Sequence, residues 1–119
     1  SGSGLKLYPS DNLPMLMAMA RDPNVIRHTR ADTVLGLVKL MDRAQASMPK
    51  LPKDLPVLVT YGTRDQIVPP APVQQLVHTC RAHLGAHCQA VRYPDGYHML
   101  LRDLQAPVVY ADIAAWLEN

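Results

Sequence analysis

Hydrophobic positions divide the chain into three stretches of different rhythm. Residues 5–50 are dense in Met and Leu and read as helical. Leu13-Pro14-Met15-Leu16-Met17-Ala18-Met19-Ala20 predicts a Met-rich turn or helix, and Asp32-Thr33 can cap a second helix running to about Gln45. The apolar residues Val34, Leu35, Leu37, Val38, Leu40, Met41 and Ala44 of that second helix cover more than one face. A helix so apolar is either sandwiched in protein or turned toward an oily ligand. Residues 51–56, Leu-Pro-Lys-Asp-Leu-Pro, form a proline-punctuated connector.

Beyond the connector the rhythm becomes strand, helix, strand, helix. Val57-Leu58-Val59-Thr60-Tyr61 is nearly continuous in β-favouring residues and stops at Gly62, as a parallel strand covered on both faces does. Pro69, Pro70 and Pro72 open a helix whose stripe is Val73, Leu76, Val77, Cys80 and Leu84, with Gly85 as its terminator. Cys88-Gln89-Ala90-Val91-Arg92-Tyr93 is a second strand, halted by Pro94-Asp95-Gly96. A last helix begins near Pro107 and carries Val109, Ile113, Trp116 and Leu117 on one face. This order implies an α/β fold with a parallel strand pair joined by a right-handed crossover. Two parallel strands alone do not make a stable sheet. The expectation is that further strands come from another polypeptide or the rest of a longer chain, or that self-association covers the open edge.

Composition narrows the function classes. A formal charge of +2, spread without a run of Lys or Arg, does not predict a nucleic-acid partner. No apolar run approaches the roughly 18 residues of a membrane span, and the start has no signal-peptide pattern. Ser1-Gly2-Ser3-Gly4 resembles a linker or cloning scar, so the missing leader leaves the compartment open between cytoplasm and a membrane surface. Cys80 and Cys88 are too few for a disulfide framework and are expected to be reduced. With His83 and His87 they sketch a zinc-like set, but the adjacent His87 and Cys88 diverge where a strand begins, so no metal is expected, and the acid–base chemistry of Asp65 and His98 implies no organic cofactor.

The candidate chemistry lies in Asp65 and His98. Each follows a predicted strand, and open α/β sheets gather ligands and catalytic groups beyond the carboxyl ends of their strands. A histidine deprotonates a serine hydroxyl only when a carboxylate holds its imidazole in the right tautomer and orientation. The 33 residues between Asp65 and His98 leave room for a helix and a strand to return the chain to the same edge. Taken singly, Asp65 also fits a turn former and His98 an exposed loop residue. Asp95 competes for the acid role, but it lies in a Pro-Asp-Gly turn three residues before His98 and is better read as a turn residue. His28 and His78 have no partner pattern and are expected at the surface.

Several segments together resemble α/β-hydrolases of the monoglyceride lipase and lysophospholipase type, the serine aminopeptidase-like group. They are Asp22-Pro23, Leu55-Pro56-Val57-Leu58-Val59, Gly62-Thr63-Arg64-Asp65-Gln66-Ile67-Val68-Pro69, Tyr93-Pro94-Asp95-Gly96-Tyr97-His98-Met99-Leu100 and Asp112-Ile113-x-x-Trp116-Leu117. The resemblance implies the C-terminal part of a hydrolase core over residues 51–119, with Asp65 as triad acid and His98 as general base. It further implies a helical cap over residues 5–50 that covers an acyl pocket; Met15, Met19, Leu37 and Met41 are the candidates to line it. The substrate implied is a small acyl ester or lipid. The chain departs from this group in one respect: a Gly-x-Ser-x-Gly nucleophile elbow does not occur in it. None of Ser1, Ser3, Ser10 and Ser47 follows an apolar strand, so the chain alone is expected to be inactive. The other expectation is a non-catalytic module that binds a hydrophobic ligand or protein through its Met-rich region.

Overall fold

The computed structural model describes residues 6–119. The linker-like Ser1–Gly4 lies outside them, as does Leu5, the first residue of the expected cap. Helix α1 spans Leu13–Arg21 and α2 spans Ala31–Ser47, followed by a 3-10 turn at Met48–Lys50. Strand β1 (Val57–Gly62), helix α3 (Pro70–Leu84), a second 3-10 turn (Gly85–His87), strand β2 (Cys88–Tyr93) and helix α4 (Ala106–Leu117) complete the order.

Local chemistry accounts for most boundaries. The Asn12 side chain accepts the Met15 N–H at 3.2 Å and so caps α1, with Pro14 in the first turn where its missing N–H costs nothing. The start of α2 differs from the expectation. Asp32 does not cap it; the cap position belongs to Arg30, and Asp32 sits in the first turn, paired with the Arg30 guanidinium at 2.8 Å. A carboxylate there faces the positive end of the helix dipole, which favours it without a capping bond. Helix α3 ends at Gly85, whose φ of 57° is the left-handed conformation that glycine adopts without a Cβ clash.

β1 and β2 pair in parallel, from Val57 opposite Cys88 to Gly62 opposite Tyr93. Alternation then gives the pair two faces. On one, Val57 and Cys88 pack with Cys80, Leu84 and Leu76 of α3 and with Met48. On the other, Val91 and Tyr93 pack with Val109 and Ile113 of α4 and with Leu100. Helices thus pack on both faces of a mixed α/β unit, but Val57–Tyr61 of β1 stay only half-buried, so the two-sided cover that their continuous apolarity predicts is incomplete among the described residues.

One expectation is corrected here. Cys80 and Cys88 are not a reduced pair: their sulfurs are bonded, with Cα atoms 5.9 Å apart. Cys80 lies on the stripe of α3 that faces the sheet, and Cys88 opens β2 on the face covered by α3, so the tight 3-10 turn brings them within disulfide reach. Of the two alternatives for α2, packing within protein is not met among the described residues. The helix contributes no buried residue, and Val34, Leu35, Leu37, Val38 and Leu40 are each 49–59% exposed.

Candidate active site

The acid and the histidine arrive on two adjacent loops at the carboxyl ends of β1 and β2. Backbone bonds stitch the loops together: the Thr63 N–H donates to the Tyr93 carbonyl at 3.0 Å and the Arg64 N–H to the Gly96 carbonyl at 2.9 Å. The two glycines permit this approach. A Cβ on Gly62 would run into the Gly96 carbonyl, and one on Gly96 would lie 2.6 Å from Leu100 Cδ2 and 3.0 Å from Gly62 Cα.

Asp65 Oδ2 lies 3.0 Å from His98 Nδ1. Its other oxygen, Oδ1, accepts the N–H groups of Ile67 and Val68, each at 2.8 Å. These two bonds fix the carboxylate from behind, so the plane of its free oxygen is set before the imidazole meets it. The side chain of Asp65 is 11% exposed and that of His98 41%, which encloses the acid and leaves the ring accessible. An ionised carboxylate only accepts, so the proton on the neutral ring sits at Nδ1 and the lone pair at Nε2. The arrangement can therefore take a proton at Nε2 and stabilise the resulting imidazolium through Asp65.

The competing acid is placed elsewhere. Asp95 pairs with Arg64 at 3.1 Å on the exposed side of the loops. A hydrogen bond with Tyr97, then the charge of Asp95, pushes the Arg64 guanidinium above its ordinary value. His28 and His78 are exposed, as expected. His83 Nε2 meets the Leu51 carbonyl at 2.7 Å, so the sketched Cys–His set is split between a disulfide and a backbone contact. Tyr93 donates its hydroxyl to Asp112 at 2.7 Å, tying the end of β2 to α4. Burial first, and this bond second, push its phenol well above the ordinary range.

The four residues expected to line an acyl pocket have different surroundings among the described residues. Met15 is buried. Met19 lines an open cleft of about 350 Å³ with Leu16, Ala20, Val25 and Arg27. Leu37 is exposed, and Met41 lines a small apolar cleft of about 140 Å³ that reaches Val68, a donor to Asp65. Of the described serines, Ser47 donates to the Arg43 carbonyl and Ser10 to Asp103; neither is bonded to His98. The Ser10–Asp103 contact escaped the sequence reading, because nothing local links residues 93 positions apart.

A carboxylate and then a histidine, delivered by successive parallel strands to one sheet edge, are in the order of the last two triad members of an α/β-hydrolase. The profile of the Serine aminopeptidase S33 family of hydrolases matches residues 2–105, and the chain belongs to that family. It is 27% identical over 109 residues to a monoacylglycerol lipase of Mycolicibacterium smegmatis, covering 84% of this chain and 38% of the lipase. It is 37% identical over 71 residues to a protein of Methylorubrum extorquens named "Putative carboxymethylenebutenolidase", covering 55% of this chain and 24% of that protein. The chain thus matches about two-fifths of one relative and one-quarter of the other.

Proposed function

We propose that this chain supplies the acid and the base of a serine carboxylic-ester hydrolase acting on monoacylglycerols, lysophospholipids or similar esters. The observation that carries the reading is the 3.0 Å contact between Asp65 Oδ2 and His98 Nδ1 at the ends of paired parallel strands. The nucleophilic serine and the oxyanion-hole donors are assigned to a Gly-x-Ser-x-Gly elbow and a preceding loop outside these 119 residues. In that enzyme the serine Oγ attacks the ester carbonyl as its proton passes to His98 Nε2. The imidazolium gives the proton to the departing alkoxide oxygen, so an alcohol leaves and an acyl-enzyme remains. Water then repeats the sequence: its proton goes to His98, its oxygen to the acyl carbon, and the serine leaves reprotonated. Asp65 holds the ring through both halves. Residues 5–50 form part of a lid, and the name of the mycobacterial relative supports a lipid ester as substrate.

A fluorophosphonate directed at activated serines tests the assignment. The longer polypeptide is expected to label at its elbow serine, and His98→Ala to slow labelling by about 10³-fold or more. This chain alone is expected to stay unlabelled; modification of any of its four serines would sink the assignment of the nucleophile. The exposed apolar side of α2 favours a second reading, a module that binds a hydrophobic ligand without chemistry. A longer polypeptide that binds fatty acid yet never labels would establish it instead.

A further inference from the structure

The turn that presents His98 is gripped on both sides. The Tyr97 N–H donates to Asp103 Oδ2 at 2.8 Å, and the Met99 N–H donates to the Pro9 carbonyl at 2.8 Å. The residues immediately before and after the histidine are therefore tethered through their backbone, one to a carboxylate and one to the N-terminal segment. Asp103 is itself 3% exposed, and its other oxygen, Oδ1, accepts the hydroxyl of Ser10 at 2.5 Å. Ser10, 1% exposed, in turn accepts the Asn12 N–H at 3.2 Å. Two further bonds close the same seam: Asn12 Nδ2 to the Arg102 carbonyl at 2.9 Å, and the Leu104 N–H to Asp11 Oδ1 at 2.9 Å.

A buried carboxylate is costly unless its oxygens are satisfied, and one that is satisfied by a backbone N–H orders the segment carrying that N–H. We propose that Asp103 is a positioning residue for His98, a clamp that joins Ser10 to the Tyr97 backbone and so sets the imidazole opposite Asp65. The inference deepens the proposed function and rests on its reading of His98 as the base. Asp65 acts on the ring directly; Asp103 acts only through the backbone of the turn. Without that clamp the ring would sample other positions, and Nδ1–H would no longer be held on Asp65. Residues Pro9–Asn12 thereby become part of the catalytic support, although they lie in the segment expected to be a lid.

The test uses the 119-residue chain itself. Two-bond 1H–15N correlation spectra report which ring nitrogen of neutral His98 carries the proton, and hydrogen exchange reports the Tyr97 amide. The native chain is expected to hold the Nδ1–H tautomer with a protected Tyr97 amide. Asp103→Ala is expected to move His98 toward the Nε2–H tautomer and to speed Tyr97 exchange by about tenfold or more, the loss of one charge-assisted bond. Asp103→Asn, which keeps one acceptor for Tyr97, is expected to restore the tautomer. Ser10→Ala leaves the carboxylate in place and is expected to shift both readouts the same way by less. Tyr93→Phe serves as a destabilised control that spares the clamp and should leave the His98 tautomer unchanged. An unchanged tautomer in Asp103→Ala, or an equal change in Tyr93→Phe, overturns the proposal; should Asp103→Ala not fold, an unchanged tautomer and exchange in Ser10→Ala overturn it. Failure of the longer polypeptide to label would remove the hydrolase reading while leaving these spectra as they are, so the two failures are distinguishable.

Discussion

Gly62 and Gly96 set how closely the loops carrying Asp65 and His98 approach. The two loops share backbone bonds, and a Cβ on Gly62 would overlap the Gly96 backbone, so an added side chain there forces the loops apart. Gly62→Ala is therefore expected to cost about 1–3 kcal/mol of unfolding stability in urea titrations, in the range of overpacking substitutions. It should also weaken the Asp65–His98 contact, seen as a loss of the Nδ1–H tautomer. A second prediction concerns the acid. Asn at position 65 presents an amide that can hold His98 in the wrong tautomer, so Asp65→Asn in the longer enzyme should lower kcat by about 10⁴-fold. The identity of this pair was legible in the sequence because each residue sits in a recognisable strand-end setting. The preference for Asp65 over Asp95 was legible too, because Asp95 lies in a Pro-Asp-Gly turn only three residues before His98. What the sequence did not show is that Asp95 pairs with Arg64 while Asp65 accepts two backbone N–H groups.

Among the elements, α3 and β2 are joined covalently and β2 and α4 by a phenol–carboxylate bond. The Cys80–Cys88 bridge closes a short loop, and in the chain-entropy account such a loop restricts the unfolded state by about 2–3 kcal/mol. Native chain should show no free thiol with Ellman's reagent, and reduction or Cys80→Ser/Cys88→Ser should lower stability by up to that amount. The Tyr93–Asp112 bond predicts a pH dependence. Folding raises the Tyr93 phenol above its ordinary 10.0, so the folded state keeps a proton that the unfolded state releases. Its contribution is complete below about pH 10 and is lost as pH rises beyond it. Tyr93→Phe should cost about 1 kcal/mol at neutral pH, and the gap between the two proteins should narrow in urea titrations above pH 10. Element boundaries were largely legible: β2 and the Gly85 terminator follow from local preferences. The start of α2 was not, because a first-turn carboxylate and a capping one have the same local sequence signature.

On the scale of the whole molecule, the chain is more extended than its length requires. Its radius of gyration is 16.4 Å, against about 13.5 Å for a compact domain of this size. Strand β1 has one neighbour, β2, and its other edge carries no partner among the described residues. Together with the exposed apolar side of α2, this edge accords with the proposal that further polypeptide completes the enzyme. The isolated chain is accordingly expected to enhance the fluorescence of an apolar dye such as ANS and to associate with rising concentration in sedimentation experiments. Val34→Glu with Leu37→Glu should weaken both effects. A chain that stays monomeric and dark with the dye would contradict this expectation. No helix among the described residues is long and apolar enough to cross a membrane.

Periodicity, turn residues and propensity are local, so the sequence by itself determined the helices, the two strands and the presence of an acid and a histidine at strand ends. Whatever depends on the distance between remote residues was decided only in three dimensions. The Cys80–Cys88 bond needed the turn between α3 and β2, and the meeting of the Asp65 and His98 loops needed the Gly62–Gly96 approach. The clamp from Ser10 to Asp103 needed 93 residues of chain to fold back on themselves. Asp65 and His98 are named by local pattern, but a 3.0 Å hydrogen bond between them exists only because the whole strand pair places one loop against the other.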